Sequence, residues 1–452
     1  MKATMPSDEV TEISLDAART LAGHRNRLVD TLTGIATADA ATDEVHRSIA
    51  TLAGARWELR AQDPMRLDRV VVFLPSNNVL YSYVLFGLIP ALYAEQVILR
   101  PSTRSMAAAE AVHREMTELL PRGLTRRVAL LPTTQVRMVE LARDADIVAF
   151  TGQYQNGLSI ADRIGGRPRM LLFGSGPNPV VVGPAADPAV AAKDVLRARL
   201  YNSGQDCLCP DLIFAHASVA ERLADEIAAV LADTRVGERA DPRTTVAPLV
   251  YPDAVETAAG FLREHRARVR HGGAVEAEAG VVEPTVLMFE QDAEVHPPEL
   301  FSPVFPIVPY GDASVITRWA EDAREVQRGM YLSNYGEPAL PHDVVGSAVV
   351  CRDATAFDVE DGNRPFGGHG VAASSVHQDG RVWTGPLLLS EQAARLARRP
   401  AAEARHASPP RASSAVTAGG PRSSGPPGPV GPPGTAAGSA VGTSGGRGAG
   451  GG

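Results

Sequence analysis

Between residues 70 and 184, short apolar runs alternate with helix-patterned segments. This alternation restricts the fold more than any other feature of the chain. The runs fall at 70–74, 96–99, 127–131, 146–150, 170–173 and 180–182. The stretches between them at 79–94, 106–120, 134–143 and 156–164 carry helical spacing. Strands that are apolar throughout are covered on both faces, and strands joined through helices run parallel. The pattern predicts an α/β fold with a parallel sheet that binds ligands at the carboxyl ends of its strands.

A second α/β region follows. Its expected strands lie at 212–215, 285–289, 305–308 and 348–351, and its helices at 219–231, 252–264 and 313–319. The first 65 residues read as helices, with Leu15, Ala18, Leu21, Leu28, Leu32 and Ile35 near a 3.6 period. They form a packing cap with no assigned chemistry. The segment 381–389 reads as a strand that returns to the first domain or pairs with a partner subunit. Residues 400–452 hold 14 glycines and 9 prolines and few large apolar side chains. Such a composition cannot offset chain entropy, so a disordered tail is expected. The expected division is 1–184, 185–375, 376–399 and 400–452.

Composition narrows the function. A net charge of −8 over 452 residues offers no basic excess for a phosphate backbone, so nucleic-acid binding is not expected. The most apolar stretch, 79–94, is short for a membrane span and contains Ser82 and Pro90. Three cysteines, Cys207, Cys209 and Cys351, do not suggest a disulfide scaffold. No leader pattern opens the chain, and a cytoplasmic protein is the expectation. The cysteines and histidines show no metal-ligand spacing, and no Walker-type loop occurs.

The densest chemical signal is Tyr-Asn-Ser-Gly-Gln-Asp-Cys-Leu-Cys-Pro over 201–210. A cysteine in a polar, glycine-bearing turn between a helix and a strand is placed to attack a carbonyl carbon. A buried structural cysteine is the alternative.

This stretch resembles the nucleophile motif of the aldehyde dehydrogenase superfamily, aromatic-x-N-x-G-Q-x-C. Asn202, Gly204, Gln205 and Cys207 match it, and Tyr201 fills the aromatic position less cleanly. Four further blocks follow the family's order. Leu-Pro-Ser-Asn-Asn at 74–78 resembles its P-W-N segment. Phe-Thr-Gly-Gln-Tyr-Gln-Asn-Gly at 150–157 resembles F-T-G-S-x-x-x-G. Glu-Pro-Thr-Val-Leu at 283–287 and Glu-Leu-Phe-Ser-Pro-Val at 299–304 resemble P-T-V-L and E-I-F-G-P-V. Pro-Phe-Gly-Gly at 365–368 resembles the late P-F-G-G turn.

The resemblance implies an aldehyde-dehydrogenase-like fold, with a dinucleotide-binding sheet and a catalytic α/β domain. It places the nucleophile on Cys207 and the oxyanion amide on Asn77. Gly152 and Gly157 would admit the dinucleotide backbone at a helix start, Glu299 would hold the nicotinamide ribose, and Phe301 would pack near the nicotinamide. Arg100 stands where the family usually has a ribose-binding lysine. Thr103 stands where NAD-preferring members often carry a glutamate, and Arg104 follows. The missing carboxylate and the nearby charge favour NADP over NAD as cofactor; a surface arginine is the alternative. His369 reads as a proton relay or as a structural loop histidine.

The sequence departs from the family at 170–182. Hydrolytic members have E-L-G-G here, and the position of the water-activating glutamate falls on Leu171 or Leu172. The run Gly-Ser-Gly-Pro-Asn-Pro-Val-Val-Val at 174–182 resembles the coenzyme-A-acylating branch. The implied activity is an NAD(P)-dependent aldehyde or acyl-thioester oxidoreductase that releases its acyl group to a thiol, on coenzyme A or a carrier-protein arm. Hydrolytic oxidation with Asp206 or Glu299 as base, acyl-phosphate reduction, and a degenerate binding scaffold remain the alternatives. The region before the Asn77 block is roughly half the usual family length, so a homo-oligomer is left open.

Overall fold

The computed structural model describes residues 7–336, 340 and 342–397. The tail expected to be disordered, 400–452, lies outside them. Both sheets described below belong to one compact unit, Met1–Arg399.

Three helices open the chain, Ser7–Gly23, Arg25–Leu32 and Ala38–Gln62. They pack Leu21, Leu28, Leu32 and Leu52 against the first sheet. That sheet begins with β1 (Leu67–Phe73), β2 (Ala94–Arg100), β3 (Val128–Leu130), β4 (Ile147–Thr151) and β5 (Arg169–Phe173). These five run parallel in the order β3-β2-β1-β4-β5. The order reverses between β1 and β4, so the loops after these two strands diverge and open a crevice. The far face of the sheet is covered by helices Gln135–Ala142 and Tyr154–Ile164.

The next strand, β6 (Val180–Val182), belongs to the second sheet, which corrects the expected boundary at 184. Pro177 and Pro179 cannot donate to a ladder, so the chain leaves β5 and crosses over before pairing again. The second sheet also contains β7 (Ile213–His216) and β8 (Val269–His271). After a small hairpin of β9 (Val275–Glu276) and β10 (Val281–Val282) it gains β11 (Thr285–Met288), β12 (Val304–Tyr310), β13 (Tyr331–Tyr335), β14 (Val344–Val345) and β15 (Ala348–Arg352). Its order is β14-β15-β13-β6-β7-β12-β11-β8, parallel except at the two edges. Strand β13 reads Tyr-Leu-Ser-Asn-Tyr, with no continuous apolar run, yet all five residues are buried.

The chain then returns to the first sheet. Strand β16 (Ser374–Gln378) pairs antiparallel with β5, and β17 (Arg381–Thr384) pairs with β16 and forms the sheet's outer edge. The expected strand at 381–389 is thus shorter, and β16 intervenes between it and the parallel core. Its Ser-Ser-Val-His-Gln sequence concealed it.

Buried ionisable side chains tie these parts together. Arg199, on helix Pro188–Leu200, donates to Asp211 Oδ1 at 2.9 Å, and the Leu300 N–H reaches the same oxygen at 3.1 Å. Both ionic side chains are almost fully buried, at 1% and 2% exposure. Removing one partner of such a pair strands the other charge. Arg199→Ala is expected to lower stability by about 3–5 kcal/mol. Adding Asp211→Asn should recover part of that loss, as read from urea unfolding midpoints.

Glu44, on helix Ala38–Gln62, accepts from the Leu80 and Tyr81 N–H groups at 2.6 and 3.1 Å, closing the start of helix Val79–Tyr83. Burial pushes its carboxyl from 4.5 up to about 7. In the unfolded chain the group ionises near its ordinary value, while the folded protein keeps the proton until about pH 7. The native state therefore binds more protons between these values, and its stability falls as pH rises through that window. Glu44→Gln is expected to flatten the decline, by up to about 3 kcal/mol across the window. Thermal unfolding at pH 5 and pH 7.5 measures it.

Candidate functional site

The crevice at the β1–β4 switch point opens into a cavity of about 690 Å³. It is lined from the first sheet by the loops after β1, β2, β4 and β5, and from the second region by the Cys207 turn, Tyr251, Asp253 and the segment around Glu299. Cys207, Asn77, Arg100, Thr103, Gly152, Glu299 and Phe301 all line it. Residues spread over more than 200 positions thus share one space.

The cysteine turn has an unusual backbone. Asn202, Ser203 and Gly204 all adopt positive φ, at 47°, 61° and 83°. For Asn and Ser this conformation is strained, and such strain persists only where neighbours over-determine it. They do so here. The Thr37 N–H donates to Asn202 Oδ1 at 3.2 Å, the Ala247 N–H to Ser203 Oγ at 2.9 Å, and the Val250 N–H to Gln205 Oε1 at 2.7 Å. Gly204 meets the Ser302 backbone so closely that a Cβ would lie 2.5 Å from its carbonyl.

On the far side of the turn, Asn178 Nδ2 donates to Cys207 O at 2.7 Å and to Gly176 O at 3.0 Å. Asn77 Nδ2 reaches Gln205 O at 3.5 Å, which puts that amide on the turn that carries Cys207. Among the described residues the Cys207 N–H has no backbone acceptor. Burial, Asp206 and Glu299 hold the Cys207 thiol well above the usual thiol range.

The cofactor-side residues separate into two groups. Gly152 lies at the end of β4 with φ 143°, just before helix Tyr154–Ile164. The side chain of Gln153, at the N-cap, accepts from Asn156 Nδ2 at 3.4 Å and caps none of the helix's backbone N–H groups. Its first turn therefore offers N–H groups to an anion. Gly157 does not line the cavity, which corrects its expected place beside the dinucleotide. It is the fourth residue of the helix, and a Cβ there would lie 2.7 Å from Leu172 Cδ2. Its small size lets the helix sit on β4 and β5.

Arg100 Nε donates to Thr133 O at 3.0 Å at the end of β2. Arg104 Nη2 donates to Asp253 Oδ2 at 2.9 Å, linking the first sheet's β2 loop to helix Pro252–Glu264. Glu299 is pushed up to about 7, mainly by burial, and bonds to Ser175. At 170–173, Leu171 and Leu172 are buried at 0% and 2% exposure, so no carboxylate enters the cavity from there. Phe173 lines it instead. His369 is exposed and lies outside the cavity wall.

The structure adds residues that the motifs did not mark. Arg47 and Glu58 reach the cavity from helix Ala38–Gln62, so the N-terminal helices are more than a packing cap. Arg47 pairs with Glu360, and its guanidinium lies 4.5 Å from the Tyr81 ring centroid. Tyr81 OH donates to Glu360 Oε1 at 2.6 Å. Leu85, Phe86, Ile89 and Phe366 continue the wall. The available sequence signal was polar residues on a buried helix face, such as Glu44, Ser48, Thr51 and Glu58. Away from the cavity, Glu294, His296 and Asp322 also cluster, but both His296 ring nitrogens are already engaged, with Glu325 at 2.8 Å and Glu294 at 3.2 Å.

Residues 3–370 match the Aldehyde dehydrogenase family. Among curated relatives, a 4,4'-diapolycopene-4,4'-dial dehydrogenase of Cytobacillus firmus is 25% identical over 299 residues, 64% of this chain and 65% of its own length. An aminoacetaldehyde dehydrogenase of Pseudomonas aeruginosa is 27% identical over 343 residues, 72% of this chain and 67% of its own. The first of these matches thus spans slightly less than two thirds of the relative. Among solved structures, the glyceraldehyde-3-phosphate dehydrogenase GapN of Methanocaldococcus jannaschii, complexed with NADP, shares the fold. It has a TM-score of 0.70 at 19% identity, over 85% of this chain and 90% of that one. No helix among the described residues is long and apolar enough to cross a membrane. By the extent of the family match, and by five motif blocks gathered around one cavity, the chain belongs to the aldehyde dehydrogenase family.

Proposed function

We propose that the chain is an NADP- or NAD-dependent aldehyde oxidoreductase in which Cys207 carries the acyl group. One observation carries this reading. Cys207 and Asn77 share a cavity with a helix start suited to a pyrophosphate, at the switch point of a parallel sheet. The residues present fit a dinucleotide: Gly152 and the first turn of helix Tyr154–Ile164 would receive the phosphates, and Glu299 and Phe301 would flank the nicotinamide end. Arg100 and Thr103 would face the adenosine ribose, with no carboxylate at position 103 to reject a 2′-phosphate, so NADP is favoured.

When bound, the cofactor supplies hydride acceptance. The chain's own residues do the rest. Cys207 Sγ bonds to the aldehyde carbon, and the carbonyl oxygen becomes an oxyanion held by the Asn77 amide and the Cys207 N–H. Loss of hydride from that carbon leaves a thioester on Cys207. Leu171 and Leu172 supply no base to activate water, so release to a thiol, on coenzyme A or a carrier arm, is the favoured ending. A thiol needs less help than water in attacking a thioester. Glu299 supports a second reading, hydrolysis, because a carboxylate near 7 inside the cavity is suited to take a proton from water.

Cys207→Ala is expected to abolish NAD(P)-dependent turnover of aldehydes. Asn77→Ala should lower kcat by about 10²–10³, with a smaller change in KM. Product analysis separates the endings. Acyl thioester formed only when thiol is added supports the first. Free acid at full rate without thiol establishes the second, and activity retained in Cys207→Ala overturns both.

A further inference from the structure

Asp206, directly before the nucleophile, is buried at 3% exposure, and its surroundings are built for a carboxylate. Asn78 Nδ2 donates to Oδ2 at 2.6 Å, and the Leu208 N–H donates to Oδ1 at 2.9 Å. Asn78 itself holds φ 48°, a left-handed conformation that asparagine tolerates better than most residues. This backbone aims its amide at Asp206. Asp206 and Cys207 are adjacent, both line the cavity, and the charge of the carboxylate is felt by the thiol. The groups that act electrostatically on Asp206 or respond to it are Arg47 and Glu44 from helix Ala38–Gln62, Tyr201, Cys207 and Cys209 from its own segment, and Tyr251.

We propose that Asp206 is a further catalytic residue, the base that takes the Cys207 thiol proton as sulfur attacks, and that Asn78 is the residue that positions it. This rests on Cys207 being the nucleophile. In the step, the S–H bond breaks and its proton passes to an Asp206 oxygen. The sulfur electron pair forms the S–C bond, and the C=O π pair moves onto oxygen, where Asn77 and the Cys207 N–H receive it. The oxidation state of the carbon is unchanged until hydride departs.

Two physical features favour the assignment. A thiol held far above its usual range has almost no thiolate at neutral pH, so attack needs an acceptor in contact with the proton. Burial raises Asp206 above the usual carboxylate range and makes it a stronger acceptor, while the Asn78 amide works in the opposite sense and keeps it ionisable.

The test is the pH–rate profile of iodoacetamide alkylation at Cys207, read by peptide mass spectrometry on the full chain without cofactor. The wild type is expected to show an acid limb from a carboxylate. Asp206→Asn should alkylate about 10²-fold more slowly at pH 7, the lower end of what a positioned base supplies. A carboxylate that only repels the thiolate would give the opposite sign, because removing its charge would make Cys207 react faster. That result, or an unchanged rate, overturns the proposal.

Asn78→Gly keeps the left-handed backbone and guards against a misfolded Asp206 variant. Loss of the amide donor should move the acid limb to higher pH, and a limb that stays in place overturns the proposal. If Cys207 is not alkylated at any pH while Cys209 or Cys351 is, the nucleophile assignment itself fails. That outcome differs from failure of the Asp206 role alone.

Discussion

The backbone at 202–204 is the constraint on which the rest of the site depends. Two non-glycine residues in left-handed conformation cost roughly 1–3 kcal/mol each, and the chain keeps them because two distant segments hold the turn. Thr37 comes from the N-terminal helices, while Ala247 and Val250 lie in the loop before helix Pro252–Glu264. Each donates a backbone N–H to a side chain of the turn. Neither flanking segment sits next to the turn in sequence, so the conformation of Cys207 is set only when the whole unit has assembled. Cys207 follows this turn and lines the crevice.

Around this turn the polar groups are arranged in a ring rather than scattered. Asn178 grips the Cys207 carbonyl from the crossover between the two sheets, and Tyr331 of β13 donates its N–H back to Asn178 Oδ1 at 3.3 Å. Glu44, Arg47, Tyr81 and Glu360 close the opposite side. Buried charges are costly when unpaired and effective when paired at close range. The N-terminal helix therefore does two things with one face. It caps helix Val79–Tyr83 through Glu44, and it places Arg47 where its charge is felt by both Asp206 and Cys207.

What could be read from the sequence follows from how local each feature is. Cys207, Asn77, Gly152 and Glu299 sit in short motifs whose spacing is preserved along the chain, and all of them line the cavity. The five parallel strands of the first sheet were legible because each is a continuous apolar run. Strands β13 and β16 were not, because serine, asparagine and glutamine interrupt them and are buried only through the sheet pairing of distant segments. The place of β6 was missed for a related reason, since an apolar triplet does not reveal which of two sheets it joins. Gly157 shows the limit of motif reading: the same glycine that fits a phosphate-loop pattern serves here to seat a helix on Leu172 and Phe150. Arg47 was invisible because its role depends on a contact with Glu360, 313 residues away.

The departure at 170–173 bears on chemistry through packing. In a parallel strand, successive side chains alternate between two covered faces, so Leu171 enters the core shared with the N-terminal helices and Leu172 enters the core under helix Tyr154–Ile164. Neither position has room or a partner for a carboxylate, and an acid placed there would be a buried charge in hydrocarbon. Phe173 then turns to the cavity and meets Phe86 with ring centroids 5.1 Å apart. This part of the cavity wall is therefore aromatic. The carboxylates that reach the cavity near the Cys207 turn come from other segments, among them Asp206 and Glu299.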